Sequence, residues 1–401
     1  MQLVEKHVIR KGDARYEAID QAAFVSKNLY NAANYEIRQA FIFEGVYLNS
    51  NQMHHLMKTH PAYQALPRKV SQQVLRTLDK NWKSFFRAIA EWREHPEKFL
   101  GRPCLPKYKD KQQGRNLLIY TIQAISKPAL RQGYIQPSGL PIRIKTNHQN
   151  VDQVRIIPRH GFYVVEVVYE QEPVQAAVDP QLFAGIDIGI DNLATLTSNK
   201  KGFVPRIVNG RPVKSINQFY NKRKAELDEK LMKMDARRRH SHRLERLTTK
   251  RTRRIHHSLH TASRRIVNLL VEEGIGTLVI GKNDGWKQEV EMGKRTNQQF
   301  VAIPHARFIE MLAYKAQLVG IRVIITEESY TSKCSFLDNE PIGKHETYAG
   351  KRVKRSLFRA SDGRLLNADV NGSANIIRKV APNAFADGVE AVVVRPVRFC
   401  A

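Results

Sequence analysis

Apolar positions in the first part of the chain keep helical spacing. From Ala14 to Glu44, Ile19, Ala22, Ala23, Leu29 and Ala33 recur near every 3.6 residues with no Gly or Pro between them, which predicts an amphipathic helix. A second stripe, Val70, Val74, Leu78, Trp82, Phe85 and Ile89, runs through "PRKVSQQVLRTLDKNWKSFFRAIAEWREH". Pro67 suits its first turn, and its aromatics read as helix-packing core. From Leu117 to Val174 the period changes. "NLLIYTIQAI", "PIRIKT", "QVRIIPRHG" and "FYVVEVVYE" are short β-rich runs split by turn residues, which predict a small antiparallel sheet or barrel. The opening "LVEKHVIRK" is strand-like as well.

After Pro180, "FAGIDIGIDNLATLTSN" predicts two strands around a tight turn. From Val213 to Glu273 no Gly or Pro occurs, and a polar run near Arg237 to Ser241 divides the stretch into a long helical hairpin. Its second arm places Leu244, Leu247, Ile255, Leu259, Ala262, Ile266 and Leu270 near helical spacing, with a gap between Leu247 and Ile255. A strand "TLVIG", a polar loop, a helix "ARFIEMLAYKAQLVG", a strand "RVIITEES" and a helix around "NGSANIIRKV" follow. Strands alternating with helices predict an α/β domain.

Charge sharpens this picture. The formal net charge is +28 over 401 residues, with 42% hydrophobic residues. That is enough apolar content for real cores, and the excess charge points to a polyanion, nucleic acid before membrane. Between Arg237 and Arg265 the only acid is Glu245, so this arm is not a salt-bridged helix of alternating sign. The segment "LPKYKDKQQGR" adds Lys107, Lys109, Lys111 and Arg115. No stretch resembles a signal peptide or a membrane span. Cys104, Cys334 and Cys400 are few and far apart, which fits free thiols in a reducing compartment.

The candidate chemistry lies in carboxylates. Strand alternation in "GIDIGIDN" puts Gly185, Asp187 and Gly189 on one face, which predicts open space above Asp187 for metal and phosphodiester. One carboxylate cannot organise phosphodiester hydrolysis, because metals about 4 Å apart need several acidic ligands. Asp369, in "NADVNGSANIIRKV", and the adjacent Glu327 and Glu328, in "ITEESYTS", are the partners to consider. In α/β sheets, sites form at the carboxyl ends of strands, where these acids fall.

In order, "GIDIGIDNLATLTS", "IGKNDGWKQ", "ESYTSKCSF" and "ADVNGSANIIRK" resemble the TnpB proteins of bacterial insertion sequences, and "LPRKVSQQVLRTLDKNWKSFF" and "LPKYK" extend the likeness toward the N-terminus. TnpB proteins are RNA-guided DNA endonucleases related to type V CRISPR effectors. The resemblance implies an α/β chain with α and β modules. An RNase H-like (RuvC) nuclease domain over 181–401 would carry an inserted helical hairpin, 213–273. Before it would stand a helical recognition region, 13–112, and a small β-barrel-like, wedge-like domain formed by 1–12 and 113–180.

The same resemblance implies a catalytic, metal-binding triad in the order Asp, Glu, Asp. Asp187 and Asp369 match the ends. Many relatives carry the middle Glu where Lys282 and Asn283 stand here, and some carry it before the Thr-Ser motif, which matches Glu328 best. Glu327 and Asp284 are the substitutes. Relatives often place two Cys-x-x-Cys pairs in the segment corresponding to 333–364. The matching positions here are Cys334, Leu337, Arg359 and Asp362, so one thiolate remains and no zinc is expected. The cofactor implied is Mg2+ or Mn2+. Partners implied are a guide RNA from the mobile element and double-stranded target DNA with a short flanking motif, bound by a monomer with its RNA, in the bacterial cytoplasm at the nucleoid. Arg68 and Gln72 match flanking-motif contacts, although both also suit an exposed surface. Lys107, Lys109, Arg115, Arg237, Arg238, Arg239, Arg243, Arg253 and Arg254 are candidates for the nucleic-acid backbone. Guided binding without cleavage, as in a repressor, and strand transfer, as in a transposase, are the competing readings.

Overall fold

The computed structural model describes residues 1–234, 241–283, 298, 301–386 and 396–399. They form two compact units, Met1–Gln171 and Glu172–Ala401.

The first unit begins with β1 (Gln2–Arg10), α1 (Tyr16–Gln39), α2 (Ser50–Met57), α3 (Pro61–Gln64) and α4 (Arg68–Glu94). It continues with β2 (Leu118–Thr121), α5 (Lys127–Arg131), β3 (Tyr134–Ile135), β4 (Ile144–Lys145), β5 (Val151–Arg159) and β6 (Phe162–Glu170). The helix expected to reach Glu44 gives way at Ala40 to one π turn, closed by Gly45 at a φ of +69°, a conformation glycine adopts without a Cβ penalty. Both expected stripes are core: Ile19, Ala23, Leu29 and Ala33 of α1 and Val70, Val74, Leu78 and Trp82 of α4 are buried. The Trp82 indole N–H donates to Asn34 Oδ1 at 3.0 Å, so the largest core side chain leaves no polar atom unpaired. The antiparallel sheet runs β1-β6-β5-β2, and β1 pairs along its length with β6.

The second unit contains β7 (Asp179–Asp187), β8 (Asn192–Ser198), β9 (Arg206–Asn209), α6 (Arg211–Met234), α7 (His242–Glu272), β10 (Ile275–Gly281), α8 (His305–Gln317) and β11 (Arg322–Thr326). It ends with β12 (Lys351–Lys354), β13 (Leu357–Arg359), β14 (Leu365–Asn367), α9 (Ala368–Val380) and β15 (Val397–Phe399). The main sheet has the order β11-β10-β7-β8-β9-β15. β7, β8 and β9 form an antiparallel meander, while β10 and β11 run parallel to β7. The carboxyl ends of β7, β10 and β11 therefore lie side by side. Ser241 caps α7 through its side chain on the Leu244 N–H. The second arm of the hairpin buries Ile255, Leu259, Ala262, Ile266 and Leu270 in the core of this unit.

The open space expected above Asp187 is not there at Gly185. A Cβ on Gly185 would lie 2.4 Å from the Ser373 carbonyl oxygen and 2.8 Å from Ile377 Cγ1. The glycine makes room for α9, not for a ligand. Gly185→Ala must push a helix backbone off the sheet, a cost of about 1–3 kcal/mol for overpacking. A fall in melting temperature measures it, and an unchanged value contradicts the close approach.

Candidate active site

Three carboxylates from distant parts of the sequence share one end of the sheet. Asp187 is the last residue of β7, Glu328 follows β11 by two positions, and Asp369 sits in the first turn of α9. Burial, then the charges of Asp369 and Glu328, push the Asp187 carboxyl well above the ordinary range, while Arg352 opposes. Burial, then Glu327, pushes Glu328 up to about 7, against the opposing charge of Lys379. Glu328 Oε2 is buried and has no hydrogen-bond partner among the described residues.

The motif "NGSAN" builds this site residue by residue. A Cβ on Gly372 would lie 2.8 Å from Asp187 Oδ2, so the missing side chain leaves space for that carboxylate one turn from Asp369. Ser373 Oγ donates to the Gly185 carbonyl at 2.9 Å and lies 2.9 Å from Thr197 Oγ1, fixing α9 on β7 and β8. Asn371 and Asn375 each donate to the Cys334 carbonyl at 2.8 Å. They hold the turn after Glu328 against the same helix. Asn367 caps α9, its Oδ1 accepting from the Asp369 and Val370 N–H groups.

The adjacent glutamates have different surroundings. Glu327 is exposed and paired with Lys379 Nζ at 2.9 Å, and it also accepts from the Ser329 hydroxyl. The Glu328 N–H donates to Asn283 Oδ1 at 2.9 Å, and Asn283 Nδ2 lies 3.5 Å from Glu328 Oε1. A Cβ on Gly281 would come within 2.7 Å of Glu328 Oε2, so the end of β10 is a socket for the Glu328 side chain. The sequence shows Asn283 only as the place where a glutamate is missing. Its grip on Glu328 is not visible there, because it joins the segments just beyond two strands across 45 residues.

Asp369 has two partners of its own. Asn192 Nδ2 donates to its Oδ2 at 2.6 Å, and Arg352 lies 3.3 Å from its Oδ1. Arg398 in turn holds Asn192 Oδ1 at 3.0 Å. The second aspartate of "GIDIGID", Asp191, pairs with Lys214 at 2.7 Å and Arg355 at 2.8 Å. The hydrogen bond from Lys214 is the main cause that holds Asp191 below the usual carboxylate range. Among the described residues no three His, Cys, Asp or Glu side chains are already drawn together as a cation cage. The donor set nonetheless suits a hard divalent cation: it is all carboxylate oxygen, one atom of it buried and unsatisfied.

The segment 333–364 folds around apolar contacts. Phe336, Phe358, Leu366, Ala368 and Ala374 form a small core with Leu337 against it. Asp338 accepts from the Ser361 N–H at 3.0 Å and from its hydroxyl at 2.5 Å, joining the two loops. Cys334 is buried, its thiol 3.6 Å from the Gly343 carbonyl, and burial pushes that thiol up.

The basic candidates separate into groups. Arg68 is exposed and Gln72 half-buried one turn along α4, and both approach the Tyr63 hydroxyl. Lys107 is exposed, whereas Lys109 is partly buried with its ammonium 5.0 Å from the Tyr30 ring centre. Arg115 is held by Asp20 through Nε at 3.0 Å and a terminal nitrogen at 2.6 Å, an internal pairing that the backbone-contact expectation did not foresee. Arg243, Arg253 and Arg254 are exposed on α7. Arg237, Arg238, Arg239, Asp284 and Cys400 lie outside the described residues.

Comparison with known proteins follows these lines. Residues 166–287 match the OrfB_IS605 family model, described as a probable transposase, and residues 305–376 match the Cas12f1-like TNB domain. A CRISPR-associated endodeoxyribonuclease Cas12f2 of a Micrarchaeota archaeon is 27% identical over 236 residues, 55% of this chain and 41% of that protein. The chain thus spans about two fifths of that relative. A TnpB-like protein, ORF457, of Acidianus two-tailed virus is 24% identical over 89% of this chain and 82% of its own length. A solved Cas12f1–sgRNA–target DNA complex contains a chain that matches with a TM-score of 0.54 at 16% identity, over 90% of this chain and 82% of that one.

In class, the chain is a mixed α/β protein with the fold of a compact Cas12f effector. More particularly it is similar to a TnpB-like protein, in line with the ordered motifs, with a segment matching OrfB_IS605 followed by one matching the Cas12f1-like TNB domain.

Proposed function

We propose that this chain is an RNA-guided DNA endonuclease of a mobile element, cleaving phosphodiesters at Asp187, Glu328 and Asp369 in an RNase H-like domain. One observation carries the reading. Carboxylates from three distant segments share one sheet end, burial and the charges of the other two raise the proton affinity of Asp187, and one buried oxygen, on Glu328, has no partner among the described residues. Uncompensated buried charge is destabilising, so such a cluster is kept where a cation and a substrate compensate it. Bound Mg2+ or Mn2+ would be held by these three carboxylates and supply Lewis-acid stabilisation at the phosphate.

The remaining roles belong to the chain itself. Asn192 orients Asp369, and Asn283 with Gly281 fixes Glu328. Glu328 is the middle carboxylate in this reading because Glu327 is already neutralised by Lys379 at the surface. Guide pairing reads the target sequence, and Arg68 and Gln72, outside the buried stripe of α4, read the flanking duplex. The relatives described as an endodeoxyribonuclease and as an sgRNA–target DNA complex support nucleic-acid partners of both kinds. The matched model described as a probable transposase favours strand transfer as a second reading. Joined rather than simply cut DNA products would identify it.

Sequencing the RNA that copurifies with the protein tests the guided reading. One uniform structured RNA with a variable end is expected. A random sample of cellular RNA contradicts it.

A further inference from the structure

The gap between Leu247 and Ile255 in the apolar stripe of α7 has a structural counterpart. Where leucines would close the seam between α6 and α7, a cavity of about 240 Å³ opens, lined by Ile216, Phe219, Tyr220, Leu247, Lys250, Arg251 and Arg254, with Ser215 at its edge. Leu247 and Arg251 continue the inward-facing row of α7, so a cation stands in the row before the apolar residues resume at Ile255, with Arg254 exposed beside it.

The walls differ in kind. Arg251 is fixed: it donates to Asn217 Oδ1 at 2.7 Å and to the Ala302 carbonyl at 2.8 Å, and it stacks 5.0 Å from the Tyr220 ring centre. The Tyr220 hydroxyl meets Thr248 Oγ1 at 3.2 Å, so this ring is held on both sides. Phe219 beside it is 54% exposed. Lys250 and Arg254 are exposed at the rim, and among the described residues no acid lines the cavity. The acids of α6 lie further along and pair with its own cations, as Arg223 does with Glu226 and Lys224 with Asp228.

We propose that this groove binds one unpaired nucleobase, stacked on Phe219, with the flanking phosphates on Lys250 and Arg254. A planar ring takes up the exposed aromatic face, phosphates match cations that no lining acid among the described residues opposes, and the cavity is too small for a duplex. The sugar can be ribose or deoxyribose. The inference rests on the nucleic-acid reading above and adds a site within it.

Photo-crosslinking of the whole protein with single-stranded oligonucleotides carrying 5-iodouracil, in matched RNA and DNA versions, tests it. Adducts on the α6 peptide containing Phe219 and Tyr220 are expected. They should fall about tenfold or more in Phe219→Ala and Phe219→Leu and return in Phe219→Trp, because stacking, not bulk, holds the base. Unchanged melting temperatures exclude misfolding of these exposed-site variants. A higher yield with either sugar supports the proposal and identifies the strand. Adducts confined to other peptides, or rescue by leucine, overturn it while leaving guided cleavage standing. Absence of adducts anywhere overturns both this site and the nucleic-acid reading.

Discussion

Asp187→Ala is expected to reduce cleavage of a guided DNA target by about a thousandfold or more while guide-dependent binding stays within experimental error of wild type. Asp187 is the central member of the cluster, the one whose proton affinity responds to both other acids. Its carboxylate lies against Gly372, beneath α9, so its replacement removes a metal ligand rather than a cationic contact to the nucleic-acid backbone. The substitution removes a repelled charge and opens a small space at a helix that Ser373 still ties to β7. Plasmid cleavage and gel-shift assays on one preparation separate the two functions. Equal loss of binding and cleavage would make Asp187 structural.

Glu328→Gln should stabilise the metal-free protein at alkaline pH while abolishing cleavage. Its folded carboxyl titrates near 7 against an ordinary value of 4.5. Between those values the folded state binds more protons than the unfolded chain, so stability falls as pH rises through the window. Below 4.5 the stabilisation is fully present, and above 7 it is gone. Discounted for partial exposure, the effect is about 1–2 kcal/mol, or several degrees in melting temperature. A neutral amide cannot lose a proton, so the variant should lack this slope and melt above wild type at pH 8. Added Mg2+ should raise the wild-type melting temperature more at pH 8 than at pH 5, and scarcely raise that of the variant. An unchanged slope in the variant would place the titrating group elsewhere.

The part of this site legible in the sequence was its order. Asp187 and Asp369 stand in motifs whose local pattern announces a strand and a helix start, and each lies where that pattern puts it. The choice between Glu327 and Glu328 was not legible from alternation. β11 ends at Thr326, and beyond it the backbone no longer follows a period of two. Long-range polar contacts were also hidden. Nothing local to Asn192 indicates that it holds Asp369 across 177 residues. Gly185 misleads because a glycine in a strand reports close approach without saying of what. The helical stripes are legible because their spacing matches the buried faces of α1, α4 and α7, and the gap in the last marks a real interruption in packing.

The central claim is most directly tested by incubating the purified protein, loaded with its own RNA reprogrammed to a chosen target, with a plasmid carrying that target beside the preferred flanking sequence. The account predicts cutting at the guided site with Mg2+ or Mn2+, none with a chelator, and none with Asp187→Ala. Undiminished cutting in the chelator, or by the Asp187→Ala protein, would contradict it.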